Sequence, residues 1–301
     1  VKFHVQQAIR AFILLAFSIL LFKLYFTGDM TKFINPKYVW LSQSAAVLFL
    51  ILFIIQVTRT WTIESRHEHH CQHHDHDHSC CHDHGSSPFN HKKLMAYTVI
   101  IFPLLTGFLL PPKVLDASIV DKKGGMAVLT KQKQIKKENE EMNRNQEEPI
   151  IEHSKVIEPK EITEKEYEQI KQNLKETAAI KMDDHVYSYY YEEINLDPNK
   201  FKGREIELKG FVYKEDEFKP NQLVISRFLI THCVADASII GFLSELPEAS
   251  KLEENTWMEV KGVLDISTFN GEEIPMIKIN KWTVIKEPGD PYLYPITVRI
   301  L

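Results

Sequence analysis

The run His67 to His84 reads HEHHCQHHDHDHSCCHDH and is the densest collection of metal-ligating side chains in the chain. Nine of its eighteen residues are histidine: His67, His69, His70, His73, His74, His76, His78, His82 and His84. Cys71, Cys80 and Cys81 add thiols, and Asp75, Asp77, Asp83 and Glu68 add carboxylates. Neutral imidazole and thiolate suit Zn²⁺, Cu and Ni²⁺, and carboxylates contribute charge. The spacing lacks the fixed ligand pairs of a zinc finger, so it predicts many exchanging ligand sets rather than one rigid site. A collector or sensor of divalent metal, Zn²⁺ first, would be built this way. The alternative is a polar low-complexity loop without function. An appended tag fits poorly, because the run is internal and mixed with Cys and Asp.

A second, smaller constellation is His232, Cys233 and Asp236, three ligand types within five residues. Three protein ligands would leave the fourth position of a tetrahedral Zn²⁺ open. Neighbours on a regular strand point to opposite faces, so His232 and Cys233 converge only at a bulge or turn. The competing reading is structural, with Cys233 packed in the core and Asp236 capping a turn. Arg227, close by, is expected to pair with Asp236 or to meet an anionic partner.

The first 110 or so residues must position the His-rich loop, and they carry apolar runs at 11–26, 39–57 and 94–110. A bilayer core needs about 20 apolar residues, and the flanks extend the two shorter runs towards that length. Tyr25, Tyr38, Trp40, Trp61 and Tyr97 lie near the ends, as interfacial aromatics do, and Lys23 can snorkel. Residues 1–112 therefore read as a membrane domain of three helices, with loop 67–84 between the second and third. Buried core helices of a soluble protein are the alternative. The first run also has the basic lead of a signal peptide, Lys2 and Arg10, but no small-x-small cleavage site follows Phe26, which favours an uncleaved anchor. Lys2, Arg10, Arg59, Arg66, Lys92 and Lys93 flank one side, against Lys32, Lys37, Lys113, Lys122 and Lys123 on the other. That slight excess places the N-terminus and His-rich loop inside and the C-terminal domain extracytoplasmic. The clustered thiols would then lie in the reducing cytosol.

Residues 113–162 read as a charged, flexible linker, since their composition buries too little to offset ordering entropy. The domain 163–301 begins with a capping box, Thr163 with Glu166, and a helix expected from Glu164 to about Ile180. From 202 to 287 the pattern is β: Glu205–Tyr213, Leu223–Cys233, Ile239–Leu243, Trp257–Leu264 and Ile274–Ile285. Short strands punctuated by Gly203, Gly210, Gly262, Gly271 and Pro275 point to a small OB-like barrel, with an SH3-like barrel or sandwich as alternatives.

Three stretches make this domain familiar: Phe201 to Tyr213 (FKGREIELKGFVY), Ser226 to Ala237 (SRFLITHCVADA), and Pro291 to Pro295 (PYLYP), with Trp257-Met258-Glu259-Val260-Lys261-Gly262 between the last two. Together with the apolar runs they resemble the YcgQ-like family of membrane permease subunits over nearly the whole chain. The R-F-x-I-x-x-C-x-A-D-A core is the most specific part. The resemblance implies a bacterial cell-membrane protein that works with a separate multi-span permease of the YcgR-like type. It also implies, for some members, a link to zinc homeostasis, and it brings no catalytic residues. Members often carry two adjacent cysteines where this chain has His232-Cys233, a difference that favours metal over redox chemistry.

Composition narrows the function further. The 301 residues carry 36 basic and 41 acidic side chains, a net of −5, which argues against a nucleic-acid partner. Four cysteines, three of them in one loop, make no disulfide framework. Three helices are too few for a transport path, and no intramembrane Asp, Glu or His pair marks an ion route. The chain thus reads as a non-catalytic subunit that needs a multi-span partner, the lipid bilayer and divalent metal ions. A membrane-anchored metal sensor or assembly factor is the second reading. An enzyme using Cys233 with His232 is the third, and it lacks any nucleophile elbow, P-loop, HExxH or GxGxxG.

Overall fold

A computed structural model describes residues 2–3, 5–62, 91–122, 162–269 and 271–299. The chain divides into two compact units. One joins Val1–Met30 with Tyr38–Pro112, and the other joins Thr31–Lys37 with Lys113–Leu301.

The first unit holds α1 (Val5–Phe26), α2 (Val39–Thr58) and α3 (His91–Leu109). Helix α1 starts six residues before the expected 11–26, because Val5 to Arg10 contains neither Gly nor Pro to stop it. Helices α1 and α2 are long and apolar enough to cross a membrane. The expected third span, 94–110, falls on a helix, His91–Leu109, whose apolar stretch among the described residues is Met95–Leu109. Phe12, Ile19, Leu48, Ile51, Ile54, Val99 and Phe102 are all exposed on these helices. Water would not tolerate so much apolar surface. Where the helices meet they use small and polar groups, as membrane helices do. The buried Ser18 hydroxyl donates to Ala46 O at 2.9 Å, and Gln56 bonds Gln7. Gly107 lies against Leu20, where an added Cβ would stand 3.0 Å from the Leu20 side chain. Lys23 Nζ donates to Phe108 O at 3.2 Å. A cation thus meets the carbonyl end of α3, where the helix dipole favours positive charge.

In the second unit, α4 (Ala117–Lys122) and the residues before it pack on the β-structure. Leu115 N–H donates to Tyr292 Oη at 2.9 Å and Ala117 N–H to Asn255 Oδ1 at 2.7 Å, while Ala117 and Val120 are buried. The sequence reading put these residues at the head of the linker 113–162. Their apolar spacing docks them instead. The rest of that segment, 123–161, lies outside the described residues.

Helix α5 (Glu164–Glu176) opens with the capping box expected of it: Glu166 N–H donates to Thr163 Oγ1 at 3.3 Å, and Thr163 N–H to Glu166 Oε2 at 2.8 Å. It stops short of Ile180, because Ala179–Lys181 forms β1, parallel to Glu205–Glu207. Arg204 closes the helix by donating to Leu174 O at 2.8 Å and to Thr177 O. Helix α6 (Tyr187–Leu196) buries Tyr187, Tyr190, Tyr191 and Ile194 at i, i+3, i+4 and i+7. A short α7 (Pro198–Phe201) follows, capped by the Asp197 side chain accepting from Lys200 N–H.

The sheet that β1 joins continues with β2 (Glu205–Tyr213), β3 (Gln222–Leu229), β4 (Ser238–Glu245), β5 (Trp257–Phe269), β6 (Glu272–Val284) and β7 (Tyr292–Leu293). β2 pairs antiparallel with β3 and with β5, β3 with β4, and β5 with β6; β4 runs parallel to β6. The pairings therefore return to β2 after five strands. β7 adds to β3 in parallel. Ile206, Leu208, Val212, Leu223, Ile225, Phe242, Val260 and Ile277 fill one side of the sheet with α5 and α6 residues; Phe211, Val224, Phe228, Ile239 and Trp257 fill the other. Gly262 sits in β5 at a register shift against β6, where the strands approach closely.

Candidate functional site

Strand β3 was expected to run to Cys233, but it ends at Leu229. The chain leaves it through Thr231, His232 and Cys233 into a single helical turn, Val234–Asp236. Cys233 itself remains extended, and the turn that begins at Val234 brings Asp236, rather than Cys233, back to His232. Asp236 organises the turn. Its Oδ2 accepts from His232 N–H at 3.0 Å, its Oδ1 from Cys233 N–H at 3.2 Å, and Oδ2 lies 2.9 Å from His232 Nδ1. Burial pushes the Asp236 carboxyl up, but the bonds from the His232 side chain and from the Cys233 and His232 N–H groups outweigh it, and the pKa is lowered.

His232 and Asp236 are thus brought together as a bonded pair, and Asp236 does the capping that the structural reading assigns to it. Cys233 is half-buried rather than packed in the core. Among the described residues, no three or more of His, Cys, Asp and Glu are grouped so as to hold a metal ion. The candidate ligands from His67 to His84 lie outside the described residues.

Arg227 does not meet Asp236. It is 1% exposed, and its Nη1 donates to Asp184 Oδ1 at 2.9 Å and its Nε to Pro291 O at 3.1 Å. Its guanidinium stands 5.2 Å from the centre of the Trp257 ring. The Nη2 atom and Tyr187 Oη are buried beside this pair without a hydrogen-bond partner. Burial raises the Tyr187 phenol above its ordinary value, and the Arg227 charge opposes that shift. The arrangement holds β3, α6, β5 and the Pro291 segment to one charged hub. Two of the stretches that carry the family resemblance, SRFLITHCVADA and PYLYP, meet here, which neither stretch alone announces. Sequence reasoning missed Asp184 and Tyr187. The tyrosine-rich run Tyr187-Ser188-Tyr189-Tyr190-Tyr191 was the available signal, since tyrosines at helical spacing mark a buried face.

Residues 9–126 match the DUF1980 N-terminal domain and residues 157–295 the DUF1980 C-terminal domain. UPF0703 protein YcgQ of Bacillus subtilis is 31% identical over 289 residues, covering 95% of this chain and 98% of that protein. The chain belongs to the YcgQ family. A second relative of similar length, from Streptococcus mutans, is 26% identical over 290 residues, 96% of this chain and 99% of its own. It bears the name "Putative two-component membrane permease complex subunit". The YcgQ family resemblance read from Arg227, Cys233, Asp236 and the PYLYP stretch is therefore correct. In the fold, those residues build a capped turn and a buried ion-pair hub.

Proposed function

We propose that this protein is the non-catalytic subunit of a two-component membrane permease that handles a divalent metal, with Zn²⁺ as the first choice. The observation that carries the reading is the match, from end to end, to a relative named as a subunit of such a complex. The apolar helices agree with it, since they expose large side chains that lipid or a multi-span partner would cover. The metal link rests on the composition of 67–84. A segment with nine imidazoles and three thiols gathers Zn²⁺, Cu or Ni²⁺ by chemistry alone.

In this proposal α3 is a third span. Two observations favour it. Lys23, near the C-terminal end of α1, bonds a carbonyl at the C-terminal end of α3, so the two helices point the same way, as first and third spans must. Thr31–Lys37, between α1 and α2, groups with the unit that follows α3, as expected if both lie on one side of the membrane. We place that side outside the cytosol on the charge distribution, with the His-rich loop inside. We read the circuit of five strands, with β4 parallel to β6, as an OB-like barrel, and the pairings support that reading.

The test is pull-down of the full chain from its native membranes to find a multi-span permease that co-purifies with it, followed by zinc accumulation in cells lacking residues 67–84. Association retained with altered zinc flux supports the reading. Association without any change in zinc flux removes the metal link. No association, with metal-dependent behaviour intact, favours a membrane-anchored sensor instead. A reporter fused after Leu301 that is active only in the cytosol would reverse the orientation.

A further inference from the structure

Just beyond the end of β3, the backbone of His232 and Val234 bonds to a peptide from near the other end of the sequence. Asn35 N–H donates to His232 O at 2.9 Å, and Val234 N–H donates to Phe33 O at 2.9 Å. These two bonds bracket an antiparallel bridge between Ile34 and Cys233. The Asn35 side chain completes the join. Its Nδ2 donates to Thr231 O at 2.9 Å and to Ile230 O at 3.2 Å, while its Oδ1 accepts from Lys37 N–H at 3.0 Å. Asn35 is 5% exposed, so these are bonds shielded from water.

The local chemistry explains the shape. Pro36 disfavours helical backbone at Asn35 and holds it extended, ready to pair as a strand. Asp236 does the complementary job on the opposite side. By taking the His232 and Cys233 N–H groups inward, it leaves His232 O and Val234 N–H on the outer edge, where Phe33 and Asn35 meet them.

We propose that residues 33–35 form a strap that makes the loop between α1 and α2 a structural part of the β-unit, and that the Thr231–Asp236 turn exists to receive it. The β-unit is then joined to the helices not only through Pro112–Lys113 but through both ends of the strap, which continue within a few residues into α1 and α2. A load on the β-unit reaches the first two helices directly. Asn35 and Asp236 are positioning residues in this device. The inference stands whether or not the chain partners a permease.

Ile34 and Cys233 form a non-hydrogen-bonded antiparallel pair, the closer of the two pair types, with Cα atoms about 4.5 Å apart. That distance admits a disulfide. The experiment uses the full chain in membranes, with Cys71, Cys80 and Cys81 changed to Ser and a protease site inserted between residues 135 and 145. Ile34→Cys should oxidise with Cys233, so that the two fragments stay joined after cleavage until reductant is added. Lys37→Cys should give little joining. Equal joining for both, or none for Ile34→Cys, overturns the strap. In the same thiol background with Ile34 intact, Asn35→Ala removes two donor bonds, each worth about fivefold in the docking equilibrium. Labelling of Cys233 by a maleimide should then rise about twentyfold. A change below about twofold overturns the assignment of Asn35, and the cross-link keeps the strap itself testable if Asn35→Ala misfolds.

Discussion

Gly262→Ala should be among the most damaging single-methyl additions to the β-unit. A Cβ at this position would press on Lys278 O and stand 2.7 Å from Ile277 Cγ2 and 2.9 Å from the Lys278 carbonyl carbon. Two of those three neighbours are backbone of β6, paired to β5 along most of both strands, so neither can swing aside. Restoring an ordinary contact means parting the strands by roughly half an ångström at a close-packed site. Overpacking of this kind costs about 1–3 kcal/mol, and the rigid neighbours put Gly262 near the upper end. At about 3 °C of melting temperature per kcal/mol, the β-unit should melt about 9 °C lower. Two other glycines are the controls. Gly271 meets nothing within 4 Å but has φ +83, so Ala there should cost about 1 kcal/mol through backbone strain alone. Gly289 meets nothing and needs no positive φ, so Ala there should be neutral or stabilise by about 0.5 kcal/mol through the unfolded chain. The assay is thermal unfolding of the full chain in detergent, with Trp257 and Trp282 reporting the β-unit. If Gly262→Ala melts within 2 °C (about 0.7 kcal/mol) of wild type, or above Gly271→Ala, the account of strand crowding is wrong.

Other perturbations separate the remaining ideas. Asp184→Ala should destabilise by about 2–3 kcal/mol, because it strands the buried Arg227 guanidinium, whereas Arg227→Met should cost less, since Asp184 is 59% exposed and can return to water; equal losses in denaturant titration would contradict this. Asp236→Ala should cost about 1 kcal/mol at neutral pH, a figure already reduced for solvent screening. Because the folded Asp236 pKa lies below its ordinary value, that contribution is present above about pH 4 and fades as pH falls through the folded value. The gap between variant and wild type should therefore close in acid, and a gap that widens there would reject the bonding scheme. A peptide spanning 67–84 should bind Zn²⁺ at neutral pH and lose affinity steeply below about pH 6.5, as imidazoles protonate. Calorimetry that shows flat affinity across that range would remove imidazole ligation.

Much of the molecule was legible without coordinates, because the signals were local. The apolar runs, the Thr163–Glu166 cap and the five strand cores follow from periodicity and capping chemistry that act within a few residues. The family, too, was readable from the short stretch Arg227 to Ala237. What neighbours do is another matter. Glu176 ends α5, four residues before the expected stop, only because Glu205–Glu207 offers a strand edge to Ala179–Lys181. The head of the apparent linker folds onto the sheet because a distant apolar surface receives Ala117 and Val120, and Asn255 and Tyr292 present acceptors to its N–H groups. Arg227 finds Asp184, 43 residues away, instead of Asp236, nine residues away. The pattern of residue types from His232 to Asp236 suited a metal site and a capped turn equally. Which atoms the Asp236 oxygens reach, and that Phe33 and Asn35 occupy the outer edge, depends on segments about 200 residues apart meeting. Spacing along a chain records which groups can share a helix face or a turn. It carries no record of which distant backbone will satisfy a buried donor, and that decision is made only when the units pack.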